Sequence, residues 1–267
     1  MTAVVLSLLR DITRVNLSLP FIPGLLFLAG LIAGLVDSIA GGGGLITIPV
    51  LLGIGMPPQA ALGTNKLQAS FGSGSAMLTF VRSGTVRLHD CAEAILFTAI
   101  GAGLGTYTVQ LLAPAILRLV IPWLLVAIVI YTLLSPRLGY EDIHPRMKRR
   151  PFFLLAGLGL GFYDGFFGPG TGSFWVMALM LGLGFNMTRA TAHTKVLNFT
   201  SNFAALLMFM ASGAVHWREG LVMGGGQFIG ARIGAHMVVT RGTRFIRPVF
   251  ITMVLAVTVR LIWQNCR

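Results

Sequence analysis

The sequence predicts an all-α polytopic membrane protein made of two homologous halves. Of its 267 residues, 55% are hydrophobic and only 10% are charged, whereas a soluble domain carries about 25% charged residues. Apolar runs recur along the chain, and several approach the roughly 20 residues that a membrane-spanning helix needs. An internal repeat, in which residues 161–195 follow the plan of residues 34–66, divides the chain in two.

The repeat is marked by acidic and basic residues at nearly constant offsets. Asp164 follows Asp37 at an offset of 127 residues, and Lys195 follows Lys66 at an offset of 129. The later offset also relates the Ser-Gly pair at 83–84 to the pair at 212–213. Two residues are therefore inserted in the second copy between its aspartate and its lysine.

Each half contains an apolar segment that is interrupted, a short apolar piece and three further spans. In the first half these segments are residues 21–40, 45–54, 60–81, 92–112 and 116–134. In the second half they are residues 152–167, 173–183, 190–211, 221–239 and 245–263. A piece of about ten residues is too short to cross a bilayer as a helix.

Four regions follow from this pattern. Residues 1–20 form an N-terminal segment lying on the membrane surface, residues 21–135 form the first transmembrane repeat, and residues 152–267 form the second. Residues 136–151 are a basic linker that contains Arg146, Lys148, Arg149 and Arg150. Its charge predicts a cytoplasmic location, because cytoplasmic loops are enriched in Lys and Arg.

The orientation of the repeats depends on whether the broken elements cross the membrane or return. Crossing gives four spans per half and parallel repeats, whereas returning gives three spans per half and inverted repeats. The basic residues favour inverted repeats with re-entrant broken helices, because Arg82, Arg87, Arg189 and the linker then share the cytoplasmic side.

The net charge of +12 would suggest a nucleic-acid partner in a soluble protein. Here most Lys and Arg residues fall in short loops between apolar runs, so the expected partners are the anionic headgroups of the lipid bilayer. We predict no nucleic-acid partner. The sequence leaves the oligomeric state open, a homodimer included.

The glycine runs interrupt the apolar segments at corresponding places. Gly41 to Gly44 follow Asp37, and the segment G-P-G-T-G follows Asp164. A broken helix at membrane depth is tolerated only where protein or water satisfies the freed backbone groups. Paired breaks of this kind indicate the binding site of a transporter, although glycines can also serve close helix packing.

The buried ionisable residues allow more than one role. Asp37 and Asp164 could bind a coupling proton, hold Lys66 and Lys195 in place, or cap the broken helices. Either lysine could contact an anionic substrate or extend to the membrane interface. Arg232 is a second candidate for anion contact, with a salt bridge or a lipid headgroup as the alternative.

No pattern predicts an enzyme, a metal site or a cofactor. The histidines are scattered, Ser38 and Ser73 have no evident base partner, and the glycine runs lack the Lys-Ser/Thr of a phosphate-binding loop. Cys91 and Cys266, the only cysteines, lie too far apart in sequence to suggest a disulfide framework.

These motifs resemble those of the TauE/SafE sulfite-exporter family of membrane permeases. The first-half motif is G-L-V-D-S-I-A-G-G-G-G-L-I with G-T-N-K, and the second-half motif is G-F-Y-D-G-F-F-G-P-G-T-G-S-F with A-T-A-H-T-K. The resemblance extends from residue 21 to about residue 263. It implies a multi-pass secondary carrier of the bacterial inner membrane for small sulfur-containing or organic anions, such as sulfite or a sulfonate.

Positions matching these motifs, with two asparagines four residues apart on the following helix face, give the predicted substrate-binding site. It comprises Asp37, Ser38, Gly41, Gly42, Gly43, Gly44, Thr64, Asn65, Lys66, Asp164, Gly168, Gly170, Thr171, Gly172, Thr194, Lys195, Asn198 and Asn202. The predicted function is alternating-access transport of a small anion. An anion channel and, less favoured, a membrane-embedded enzyme are the alternatives.

Overall fold

A computed structural model describes residues 21–117, 119–121, 123 and 144–241. The predicted surface segment 1–20, the predicted helix 245–263, most of the predicted helix 116–134 and the first half of the linker lie outside these residues. The described chain is helical and contains no strand, which confirms the prediction of an all-α protein for this part of the sequence.

Eight α-helices are described, numbered here in chain order. They are α1 (Phe21–Ala40), α2 (Gly44–Gly53), α3 (Pro58–Arg82), α4 (Ala92–Gln110), α5 (Arg149–Phe166), α6 (Thr171–Leu183), α7 (Met187–Ala211) and α8 (Trp217–Arg241). A short 3-10 helix, Leu88–Cys91, leads into α4.

The fifth helix begins earlier than predicted. Arg149, Arg150 and Pro151 were assigned to the linker but form the first turn of α5. Proline is tolerated in the first turn because its missing N–H would have no partner within the helix. The polar linker therefore ends at Lys148, the N-cap residue of α5.

The distribution of polarity is that of a protein in lipid. Large apolar side chains cover the outside, among them Leu28, Leu96 and Leu104 at 55–57% exposure, while Lys66 and Lys195 are at most 1% exposed. Two described helices, Phe21–Ala40 and the segment Leu88–Gln110, are long and apolar enough to cross a membrane by length and composition. The bilayer favours this arrangement because it cannot solvate charged groups.

Glycines bring α1 and α8 into backbone contact. A methyl group added to Gly226 would lie 2.1 Å from the carbonyl oxygen of Phe27, and one added to Gly230 would lie 2.0 Å from that of Leu31. Small residues permit such close approach between helices in membranes. Because the contacting positions rise together along both helices, α1 and α8 run in the same direction.

A second glycine-lined contact joins α4 and α5. Methyl groups added to Gly105 and Gly165 would lie 2.0 Å from the carbonyl oxygens of Phe162 and Ala102, respectively. The contacting positions again rise together, so these helices are also parallel. The close packing expected from the G-xxx-G spacing at 101/105 and 230/234 is present in both contacts.

The third helix contacts both of the long C-terminal helices, in opposite senses. Along α8 the contacts ascend: the hydroxyl of Thr64 accepts from the N–H of His216, and Ser75 donates to the carbonyl of Phe228. Along α7 they descend: Gly63 faces Phe209 and Gly74 faces Phe199. Thus α3 is parallel to α8 and antiparallel to α7.

The short helix α2 packs beside the first part of α1. One buried cluster joins Leu26 and Ala29 of α1, Leu51 of α2, Ala61 of α3 and Met223 of α8. The far end of α2 thus lies beside residues near the start of α1, whereas the beginning of α2 lies beside the end of α1.

The α4–α5 contact gives a test with a control in the same helix. Gly105→Ala should lower the free energy of unfolding by about 1–3 kcal/mol, as overpacking does, because the new methyl group meets backbone. Gly103→Ala should not, since its methyl group would meet only the sulfur of Met208, at 3.7 Å. Thermal unfolding of the purified proteins in detergent measures the difference, and equal effects would contradict the contact.

Candidate functional site

The two helix breaks have the same backbone plan. Gly41 and Gly168 each follow an aspartate by four residues, and their φ angles are +78° and +99°. Such left-handed geometry favours glycine, because other residues are strained there. The next helices, α2 and α6, begin three residues later in each case, at Gly44 and Thr171.

The breaks lie against each other. A methyl group on Gly41 would lie 2.5 Å from the carbonyl carbon of Gly172, and the hydroxyl of Ser173 donates to the carbonyl of Ala40 over 2.8 Å. This contact satisfies one of the carbonyls that the end of α1 leaves free. The interrupted segments, far apart in sequence, therefore form one junction.

Two buried ion pairs cross this junction. Lys66 Nζ lies 2.7 Å from Asp164 Oδ1, and Lys195 Nζ lies 2.9 Å from Asp37 Oδ2. Each lysine comes from α3 or α7 and pairs with the aspartate of the more distant broken helix. The predicted alternative in which the aspartates hold the lysines in place describes this geometry.

Backbone carbonyls complete the lysine sites. Lys66 also donates to the carbonyl of Asp164, and Lys195 donates to that of Asp37. These carbonyls lie in the last turns of α5 and α1, where the helix dipole favours a positive charge. Both ammonium groups are therefore held by a carboxylate and a helix end together.

Capping is also present at one break. The N–H of Gly43 donates to Asp37 Oδ1 over 3.2 Å, so Asp37 binds the turn before α2 as well as Lys195. Asp164 instead accepts from the hydroxyl of Ser201 through Oδ2. The two carboxylates thus have different second partners.

An amide network supports the start of α2. The carbonyl oxygen of Asn65 accepts from the hydroxyl of Thr47 over 2.6 Å and from the amide of Gln68 over 2.7 Å. Because Thr47 lies in α2 and Asn65 and Gln68 lie in α3, these bonds fix the short helix to the long one.

A small cavity of about 30 Å³ lies at the junction. Its lining residues are Asp37, Gly41, Gly44, Asn65, Ala69, Asp164, Gly168, Gly170, Thr171, Gly172, Asn198, Asn202 and Gln227. About 10–15 Å³ holds one water by this measure, so the cavity has room for about two. The side-chain oxygens of Asn198 and Gln227 are buried and have no hydrogen-bond partner among the described residues.

Eleven of the predicted site residues line this cavity, as the list above records. The others do not: Ser38, Gly42, Gly43, Thr64, Lys66, Thr194 and Lys195. The lysines lie behind the carboxylates, and Thr64 accepts a hydrogen bond from the backbone of His216. Direct lysine contact with a substrate would therefore require a rearrangement of the ion pairs.

Two lining residues were not predicted. Ala69 offers no sequence signal, because an alanine in an apolar segment is ordinary. Gln227 follows three glycines in a predicted span, and a survey of uncharged polar residues in the spans would have found it. It reaches the junction because Gly72 leaves room: a methyl group there would lie 2.4 Å from Gln227 Cγ.

Two other candidates lie away from the cavity. Arg232 is exposed and lines a groove between α3 and α8 with Arg82 and His236. The ring of His193 packs on Phe185, and its Nδ1 lies 2.9 Å from the carbonyl oxygen of Arg189. Among the described residues, no group of three His, Cys, Asp or Glu side chains could hold a metal ion.

A helical bundle with an apolar exterior and charged groups buried at a helix break has the architecture of a membrane transporter protein. Comparison with known families gives the second step: residues 26–261 match the sulfite exporter TauE/SafE family, and the chain belongs to it. This confirms the resemblance seen in the motifs.

Curated relatives are named as transporters rather than enzymes. A probable membrane transporter protein of Haemophilus influenzae is 47% identical over 241 residues, covering 90% of this chain and 94% of the relative. The probable membrane transporter protein YfcA of Escherichia coli is 46% identical over 246 residues, covering 92% and 91%. YunE of Bacillus subtilis, with the same description, is 24% identical over 266 residues, covering 90% and 97%. No solved structure matches.

The crossed pairing can be tested by a double-mutant comparison. Lys66→Met should destabilise the protein by about 3–5 kcal/mol, because it leaves the buried carboxylate of Asp164 without its cation. Adding Asp164→Asn should recover part of this loss, whereas adding Asp37→Asn should not, since Asp37 pairs with Lys195. Thermal unfolding in detergent measures each variant, and equal recovery in both doubles would contradict the pairing.

Proposed function

We propose that the protein is a secondary transporter that moves a small anion, sulfite or a sulfonate, across the bacterial inner membrane by alternating access. The observation that carries the proposal is the meeting of both helix breaks at one buried polar cavity. The matching family is described as sulfite exporters, which supports the choice of sulfur oxyanions.

The backbone at the junction suits an anion. The N–H groups of Gly44 and Gly172, at the starts of α2 and α6, make no backbone hydrogen bond within the described chain. Both residues line the cavity. Helix N-termini carry a partial positive charge and free N–H groups, and they bind anions without a charged side chain.

Inverted repeats are supported by matched local geometry. Ser83 and Ser212 end α3 and α7, their hydroxyls donate to the carbonyls of Phe80 and Phe209, and each precedes a glycine of positive φ. All these positions differ by 129. Because α3 and α7 run antiparallel, the copies are related by inversion rather than by a parallel repeat.

A re-entrant α2 is supported by its packing. The buried cluster that joins Leu51 to Leu26 and Ala61 places the end of α2 beside the early part of α1 and the start of α3. A helix of ten residues is about 15 Å long, half of the membrane's hydrocarbon core. The broken element then returns to the side from which it came.

The basic residues support the orientation. The parallel α3 and α8 and the antiparallel α7 bring the C-terminal ends of the first two to the N-terminal end of the third. An ion pair of 3.8 Å between Arg150 and Glu93 adds the N-terminal ends of α4 and α5. This face carries Arg82, Arg87, Arg146, Lys148, Arg149, Arg150, Arg189 and Arg241. We assign it to the cytoplasm.

A cavity of about 30 Å³ corresponds to a closed state in this scheme. Transport requires the two halves to move so that the junction opens first to one side and then to the other. Uptake of labelled sulfite into proteoliposomes, with saturation and counterflow, tests the proposal. Ohmic current without counterflow would identify a channel instead.

Inversion predicts opposite accessibility for equivalent residues. In a variant lacking Cys91 and Cys266, Ser83→Cys should react with a membrane-impermeant maleimide only from the cytoplasmic side. Ser212→Cys should react only from the periplasmic side, because inversion places the two exposed C-cap positions on opposite faces. Labelling of right-side-out and inside-out vesicles measures this, and reaction of both residues from one side would indicate parallel repeats.

The unpartnered amide of Asn198 should contribute to binding. Asn198→Ala should weaken sulfite binding about tenfold to a hundredfold, the effect of losing a hydrogen bond to a charged group worth about 1.5–3 kcal/mol. Thermal-shift titration of the purified protein measures this affinity.

Gln59→Ala is the matched control, because the Gln59 amide bonds the carbonyl of Leu112 outside the cavity. Sulfite affinity should be unchanged in it. Equal affinity in both variants, or equal loss, would remove Asn198 from the site.

A further inference from the structure

The buried charges at the junction balance when the cavity contains no substrate. Lys66 and Lys195 are each matched by one aspartate, and the amide N–H groups add no net charge. An anion entering this site would therefore leave one negative charge uncompensated. An unpaired charge removed from water costs several kcal/mol, so binding must be accompanied by a compensating change.

The Lys66–Asp164 pair is the more firmly held of the two. Asp164 Oδ2 accepts from Ser201, and Lys66 makes a third hydrogen bond, 3.2 Å long, to the side-chain oxygen of Asn202. The Asp164 side chain is 4% exposed. Protonation of this carboxyl group would weaken an arrangement in which both carboxylate oxygens already accept from side-chain donors.

The Lys195–Asp37 pair lacks these supports. The residues at the matching offset of 129 are Gly72, which has no hydroxyl, and Ser73, which donates to its own helix at the carbonyl of Ala69. Asp37 is 15% exposed and lines the cavity. Its remaining bond, from the N–H of Gly43, can persist when the carboxyl group is neutral, because the carbonyl oxygen still accepts.

We infer that Asp37 takes up one proton for each monovalent anion that binds, so that anion and proton cross the membrane together. The proton comes from water and adds to Asp37 Oδ2. Lys195 keeps its ammonium protons, and the N–H that it donated to Oδ2 is donated to the anion. Release of the anion and the proton on the other side restores the pair. This inference rests on the proposed transport function.

The surroundings of Asp37 contain few other ionisable groups. The helices α2 and α6 have none, and α8 faces this end of α1 with Gln227 and Ala231. The Lys66–Asp164 pair lies across the cavity, and Arg232 and His236 lie in the separate groove against α3. Among the described residues, Lys195 is the only charged group in contact with the Asp37 carboxylate.

The wild-type protein in proteoliposomes provides the first test, with isethionate as the probe. This sulfonate stays a monovalent anion across the working pH range, so any proton that moves with it is carried by the protein. We expect one proton to enter per isethionate, an acidic exterior to drive accumulation, and no response to a membrane potential set with potassium and valinomycin.

Isethionate uptake without proton movement, or uptake driven by an inside-positive potential, would overturn the inference and leave the transport function intact. Absence of both uptake and counterflow for isethionate and for sulfite would overturn the transport function itself, and the inference with it. The two failures are therefore distinguishable in the same vesicles.

Matched variants assign the proton to one aspartate. In wild-type protein, one proton linked to binding changes isethionate affinity by about tenfold per pH unit above the titration range. Asp37→Asn imitates the protonated acid and should keep counterflow while losing this slope and the accumulation driven by a pH gradient. Asp164→Asn leaves Asp37 in place and should keep the slope.

Retention of the slope in Asp37→Asn, or its loss only in Asp164→Asn, would overturn the assignment. If either variant does not fold, the proton stoichiometry of the wild-type protein still decides whether transport is coupled.

Discussion

The crossed lysine–aspartate pairs are the constraint on which the rest of the junction depends. A lysine in a membrane helix is costly unless a partner neutralises it, and here each partner lies on a broken helix from the more distant part of the sequence. Lys66 can be buried only when α5 ends beside it, and Lys195 only when α1 does. The ion pairs thus couple the position of each long helix to a break on the opposite side of the junction.

Close packing of backbones makes these pairs geometrically attainable. In lipid, helices gain little from hiding apolar surface, so they associate through van der Waals contact and small residues. Glycines of α1 and α8, and of α4 and α5, allow contact between carbonyl oxygens and neighbouring backbones. The broken helices are therefore held by rigid contacts along their outer parts, while their inner ends meet at the cavity.

The asymmetry between matching residues has functional weight. Where the second copy has Ser201 and Asn202, the first has Gly72 and Ser73, and Gln227 occupies the space that Gly72 leaves. Two sites that follow one plan therefore have different hydrogen bonding. In the proposed mechanism this difference lets one ion pair open while the other maintains the fold.

The sequence by itself determined the helical class, the positions of both breaks and most of the residues that line the cavity, because apolar runs, glycine clusters and buried charges are local signals. It did not determine which aspartate binds which lysine, that both lysines lie behind the carboxylates, or that Gln227 reaches the junction. Those features depend on helices far apart in the chain packing against one another. No local pattern records such contacts, so only the tertiary structure decided them.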